Sequence, residues 1–152
     1  MTGAAWIAPT PPELASLQST LFDRVEEGRI EHGQPKNTIS LTLNYIFGGL
    51  GVNLHNQRFG EVSQFATDAT GALDQTFSAK WVTDLDLSYQ LRQRIRIAVG
   101  ANNVFDVYPD EWKDWGAGVT GSLTTSGIYR YAGGTSPWGI NGRSVYLRLS
   151  YR

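Results

Sequence analysis

Residues 80–106 read KWVTDLDLSYQLRQRIRIAVGANNVFD and change chemistry at every step. Trp81, Leu85, Leu87, Tyr89 and Leu91 share one parity, while Asp84, Asp86, Ser88 and Gln90 share the other. After a short basic break, Ile95, Ile97 and Val99 oppose Arg94, Arg96 and Ala98. A period of two is the period of a strand, so the stretch predicts a β-hairpin with one apolar face and one charged face. Each face needs a different medium, and that requirement limits what the rest of the chain can build.

The same alternation recurs three times. In NTISLTLNYIF, Ile39, Leu41, Leu43, Tyr45 and Phe47 alternate with Thr38, Ser40, Thr42 and Asn44. LGVNLHNQRF sets Leu50, Val52 and Leu54 against Gly51, Asn53 and His55. GRSVYLRLSYR sets Val145, Leu147, Leu149 and Tyr151 against Ser144, Tyr146, Arg148, Ser150 and Arg152. Directly opposed residues in an antiparallel pair share a face, so parity restricts each connection. The first two strands need an even loop. Gly48-Gly49 supplies it and suits a primed turn, which puts Phe47 opposite Leu50, Tyr45 opposite Val52 and Leu43 opposite Leu54. The third and fourth strands need an odd loop, expected at Leu91-Arg92-Gln93 or five residues there. That places Asp86 opposite or diagonal to Arg96.

Composition excludes several classes. The 152 residues suit one domain, and a net charge of -1 indicates no nucleic-acid partner. Cysteine is absent, which removes disulfides and thiolate metal sites. No apolar run approaches the ~18 residues of a membrane-spanning helix. The N-terminus lacks a basic n-region and a continuous apolar core, so it does not read as a signal peptide; an exported form would be mature or a piece of something longer. His32 and His55 are the only histidines, and neither has metal-ligand spacing. No Gly-x-Ser-x-Gly elbow or phosphate-binding loop is present, and GAGVTGSLTTSG reads as a surface loop. The expectation is a protein that is not an enzyme, with no catalytic residue, metal site or cofactor.

Residues 1–36 show no strand alternation and read as a loop carrying a short helix. Thr10-Pro11-Pro12-Glu13 resembles a capping box, Leu14, Leu17, Leu21 and Val25 follow at helical spacing, and Gly28 is placed to close the helix. Residues 37–152 then hold about five long strands. Tight turns fall at one end of the sheet, and long connections at about 60–79 and 108–137 fall at the other. Strands of about ten residues match the ~9–11 that a tilted strand needs to cross a bilayer. Tyr45, Phe47, Tyr89 and Tyr151 gather near the turn-side ends, where an interfacial girdle belongs. The expected fold class is all-β, an antiparallel transmembrane β-barrel segment with its apolar face in lipid. Five strands cannot close a barrel whose smallest examples have about eight. A soluble β-sandwich binding module and a small self-assembling outer-membrane pore are the alternatives.

Two stretches carry a family likeness. GANNVFDVYPDEW, residues 100–112, resembles the penultimate-strand motif of TonB-dependent outer-membrane receptors through Asn102, Asn103, Phe105, Asp106, Tyr108 and Pro109. SPWGINGRSVYLRLSYR, residues 136–152, resembles their closing strand through Gly142, Arg143, Tyr146, Leu147, Leu149 and Tyr151. LFDRVEEGRIEHGQPKNTISLTLNY and QRFGEV are similar to preceding strands of the same receptors. The resemblance implies the C-terminal part of a large plugged barrel in the bacterial outer membrane. Such receptors import a scarce ligand of the ferric-siderophore, cobalamin or carbohydrate class. Its implied partners are outer-membrane lipid, the barrel-assembly machinery, and the remaining barrel and plug. TonB would act only through an N-terminal part outside this sequence. The family usually ends on an aromatic residue, whereas Arg152 follows Tyr151 here, so a terminal residue is missing or the assembly signal is weaker. On this reading Asp84, Asp86, Arg94, Arg96 and Arg148 face the lumen. Asn102, Asn103 and Asp106 satisfy backbone groups where the strand leaves the sheet. Trp112, Trp115 and Trp138 are candidates for ligand contact from a loop, or for loop packing.

Overall fold

The computed structural model describes residues 11–17, 23–67, 70–113, 129–132, 134 and 136–151. A 3₁₀ helix, Pro12–Leu17, precedes an α-helix, α1, Arg24–His32. The strands are β1 (Thr38–Phe47), β2 (Leu50–Phe59), β3 (Val62–Gln64), β4 (Gln75–Phe77), β5 (Lys80–Arg92), β6 (Ile95–Asn102) and β7 (Ser144–Tyr151). Two compact units result. A sheet unit comprises Asn37–Gly60, Ala79–Tyr108 and Ile140–Arg152, and a loop unit comprises Met1–Lys36, Glu61–Ser78 and Pro109–Gly139. Residues 61–78 and 109–139 thus fall in the same unit as residues 1–36.

The sheet unit is a five-stranded antiparallel sheet in the order β1-β2-β5-β6-β7. Its first register is the one parity demands, with Phe47 opposite Leu50, Tyr45 opposite Val52 and Leu43 opposite Leu54. Gly48 and Gly49 have φ of 54° and 89°, the positive values that a type I′ turn needs at both central residues. The sheet is open: β1 and β7 are its edges, and it does not close into a barrel.

One connection differs from expectation. The β5–β6 turn is Gln93-Arg94, with a register shift between Gln90 and Arg92. A two-residue turn plus one bulged residue, Leu91, also satisfies an odd count. Consequently Asp86 faces Gly100 and Arg96 faces Gln90, so the two are neither opposite nor diagonal, contrary to expectation.

The loop unit contains what the alternation could not show. β3 and β4 pair over three residues each, too short to display a period. Phe77, Trp112 and Ala132 form a small buried cluster, with the Phe77 and Trp112 rings edge to face at 5.0 Å. The expected helix is also corrected. Asp23 caps α1 by accepting from the Glu26 amide at 2.8 Å, and Gly33 caps its other end. Gly28 does not end the helix but lies buried inside it. A Cβ there would stand 2.5 Å from Cδ2 of Phe65, so close approach of that ring explains the glycine. Thr10 and Leu21 of the expected helix lie outside the described residues.

Arg24 ties this unit together. Its guanidinium donates to Asp74 Oδ1 at 2.8 Å and to the Ala66 carbonyl at 2.9 Å, and also pairs with Asp74 Oδ2. Asp74 accepts from the Ala66 amide at 3.0 Å. The hydrogen bond from Arg24 holds the Asp74 carboxyl below the usual carboxylate range. A lowered folded-state pKa stabilises the fold above the unfolded value, and that gain is lost as pH falls through the folded one. The Ala66 amide should resist hydrogen exchange near neutral pH and open as pH falls below about 4, after correction for intrinsic rates. Asp74→Asn should flatten the dependence; an unchanged pH profile in that variant would contradict this account.

Candidate functional site

The sheet presents two unlike faces, and pairing registers assign every side chain to one of them. On the apolar face, rows run Phe47–Leu50–Tyr89–Ile97–Leu149, Tyr45–Val52–Leu87–Val99–Leu147 and Leu43–Leu54–Leu85–Ala101–Val145. Tyr151 opposes Ile95 at the tight-turn end, and Trp81 opposes Arg58 at the other. Most of these side chains are exposed, Leu43 at 56%, Leu147 at 75% and Leu149 at 72%, while Val52, Leu54, Leu85 and Ala101 are half-buried. Trp81 to Leu91 spans about 34 Å along β5 at ~3.4 Å per residue. Among the described residues the buried hydrophobic ones are Val62, Ala66, Phe77, Ala98, Trp112 and Ala132, of which only Ala98 belongs to the sheet unit.

The polar face is organised in rows as well. One row is Asn44–Asn53–Asp86–Gly100–Tyr146. The Tyr146 hydroxyl donates to Asp86 Oδ2 at 2.8 Å, crossing the intervening β6. It can do so because Gly100 lacks a side chain: a Cβ there would collide with the Tyr146 ring. Arg148 reaches the same carboxylate oxygen at 3.4 Å, so Asp86 pairs with Arg148 and not with Arg96. Arg96 donates to Ser88 Oγ at 2.7 Å, and Arg94 stands exposed on the turn. Asp84 accepts from the Asn103 amide at 2.8 Å, and His55 Nδ1 lies 2.9 Å from Thr42 Oγ1.

Gly100→Val should separate Tyr146 from Asp86 and cost about 1–3 kcal/mol by overpacking. In a Tyr146→Ala background the same change should cost less, because the colliding ring is gone. Equal costs in both backgrounds, read from urea midpoints, would show that the ring does not lie over Gly100.

Where β6 ends, the chain turns through a short hydrogen-bonded knot. Asn103 and Asp106 have φ of 52° and 58°, left-handed values that Asn and Asp tolerate better than most residues. The Asn103 amide nitrogen donates to the Val107 carbonyl at 2.8 Å, and its oxygen accepts from the Val107 amide at 2.9 Å. The Val104 amide donates to the Thr83 carbonyl at 2.8 Å, fastening the knot to β5. Asp106 Oδ1 accepts from the Arg143 amide at 2.7 Å, and the Arg143 guanidinium donates to the Val104 carbonyl at 3.3 Å. Gly142 permits this approach: a Cβ there would meet Asp106 Oδ1 and the Tyr108 hydroxyl. Asn102 donates to Ser144 Oγ at 3.3 Å, and Phe105 is 72% exposed.

Of the three candidate tryptophans, Trp112 is 6% exposed and packs in the loop unit's core, so its ring offers little surface. Trp138 is half-buried, and Trp115 lies outside the described residues. Gly51, Gly100 and Ser88 were not singled out by sequence reasoning. Their signal was small residues at inner positions of otherwise bulky strands.

No protein-family model, no curated protein and no solved structure matches the chain.

Proposed function

We propose that the chain forms part of the wall of an outer-membrane β-barrel, its apolar face in lipid and its polar face toward an aqueous interior. The observation that carries the reading is the apolar face, on which most large side chains are exposed and which lies on strands long enough for a bilayer. A soluble sandwich needs a second sheet over that face, and the other sheet among the described residues has strands of only three residues. The bare edges of β1 and β7 would cost several kcal/mol per unpaired polar group in lipid, so further strands must flank them.

Within that class, the chain is the C-terminal barrel segment of a TonB-dependent receptor. It serves uptake of a siderophore-iron, cobalamin or carbohydrate-type ligand when the plug and remaining strands are present. The likeness of residues 100–112 and 136–152 to that family supports this step. So does the way the two stretches meet, with Asp106 bound to Arg143.

Cell fractionation tests both steps, using an antibody raised against residues 109–136. A band several times the 16.8 kDa of this chain in the outer membrane is the expected result. A band at the chain's own size in that membrane would replace the receptor with a small assembled pore. A band in the soluble fraction would end the barrel reading.

A further inference from the structure

We propose that the polar face carries an oxyanion-binding cup at its tight-turn end, taking the phosphate or sulfate group of a soluble anion. The inference stands on the sheet's geometry and does not require the receptor reading. Its lining follows the cross-strand row Gln90–Arg96–Ser150. The next polar row, Gly51–Ser88–Ala98–Arg148, lies beside it and seats Arg96 against Ser88. Ser88 is 5% exposed and Ala98 3%. Gly51 is needed there, since a Cβ would stand 2.7 Å from Ser88 Oγ and 3.5 Å from Arg96 Nη2.

The rim is basic and partly held in place. Arg96 is anchored to Ser88 Oγ at 2.7 Å through one nitrogen, which leaves its other N–H groups free to point elsewhere. Arg148 is held by Asp86 at 3.4 Å. The Gln90 side-chain amide donates to the Ile95 carbonyl at 3.1 Å and also to that of Arg92, bracing the turn that carries Arg94. Gln90, Gln93, Arg94, Arg96, Arg148 and Ser150 line a groove of about 390 Å³. Among the described residues Asp86 is the one carboxylate bonded to this group, so three guanidinium charges less one leave a surplus of two. Guanidinium forks match phosphate and sulfate oxygens geometrically. Three of them offer more donors than the two oxygens of a carboxylate can accept, which favours a tetrahedral oxyanion.

The test is calorimetric titration of the full chain in detergent with inorganic pyrophosphate at constant ionic strength. Saturable binding is expected, weakened at least fivefold by Arg94→Gln. That residue is exposed on the turn, so its loss should leave the fold intact. Arg96→Gln, Arg148→Gln and Gly51→Val should weaken binding similarly, whereas Arg29→Gln, in the loop unit, should not. Binding that ignores Arg94→Gln, or that chloride matches at equal concentration, would overturn the proposal. So would tighter binding of an oligoglutamate peptide, which would assign the cup to an acidic polypeptide.

Discussion

Leu43→Arg should destabilise the sheet in a bilayer by about 2–4 kcal/mol, the cost of an arginine on the lipid face near mid-depth. Leu43 sits in the middle row of the apolar face, with Leu54, Leu85, Ala101 and Val145. It is already 56% exposed, so in water the same change would fall within about ±0.5 kcal/mol, as for other surface positions. The neighbouring Asn44→Arg points to the opposite face. It removes only an exposed hydrogen bond with Asn53, worth about 1 kcal/mol at most. The measurement is the folded, heat-modifiable fraction in phospholipid vesicles across a urea series. A large loss for Leu43 beside a small one for Asn44 supports lipid contact. Equal effects would remove the bilayer from the account.

Asn103→Ala should cost about 2–4 kcal/mol and lower the folded yield. Asn103 is 6% exposed, and its side chain satisfies both polar groups of Val107. Alanine leaves that half-buried amide and carbonyl without their partner, at roughly 1–3 kcal/mol, and adds about 1 kcal/mol of left-handed strain. Asn103→Gly keeps the conformation while losing the hydrogen bonds, so it should recover about the strain component alone. The ordering Asn, Gly, Ala in thermal stability is the diagnostic result. If the Ala variant folds normally but loses ligand binding in a complete receptor, the knot is a recognition element rather than a structural one.

Much of the sheet was legible because alternation is a direct consequence of strand geometry. Parity placed Leu43 opposite Leu54 without any knowledge of the backbone. It could not locate the β5–β6 turn, because parity counts residues in a loop as odd or even and cannot distinguish a three-residue loop from a two-residue turn with a bulge at Leu91. Charge partners were correspondingly misassigned: Asp86 finds Arg148 and Tyr146 two strands away in space and some sixty residues away in sequence. Gly100 and Tyr146 each read as departures from their strand's pattern when taken singly. They make sense only together, once β6 and β7 are aligned. The loop unit was least legible, since its order comes from Arg24 and the Phe77–Trp112 contact rather than from any period.

The meander also has a consequence for how the chain assembles. β1–β2 and β5–β6 are each closed by a two-residue turn, so both hairpins can zip locally, on a timescale of microseconds. β2 meets β5 across residues 60–79, and β6 meets β7 across residues 103–143. Doubling a flexible loop adds only about 0.6 kcal/mol of closure entropy, so the longer connection weakens the final pairing little. It does delay it, because distant partners must search before any contact compensates. β7 is therefore expected to dock last, with Tyr146 reaching Asp86 once β5, β6 and β7 are aligned.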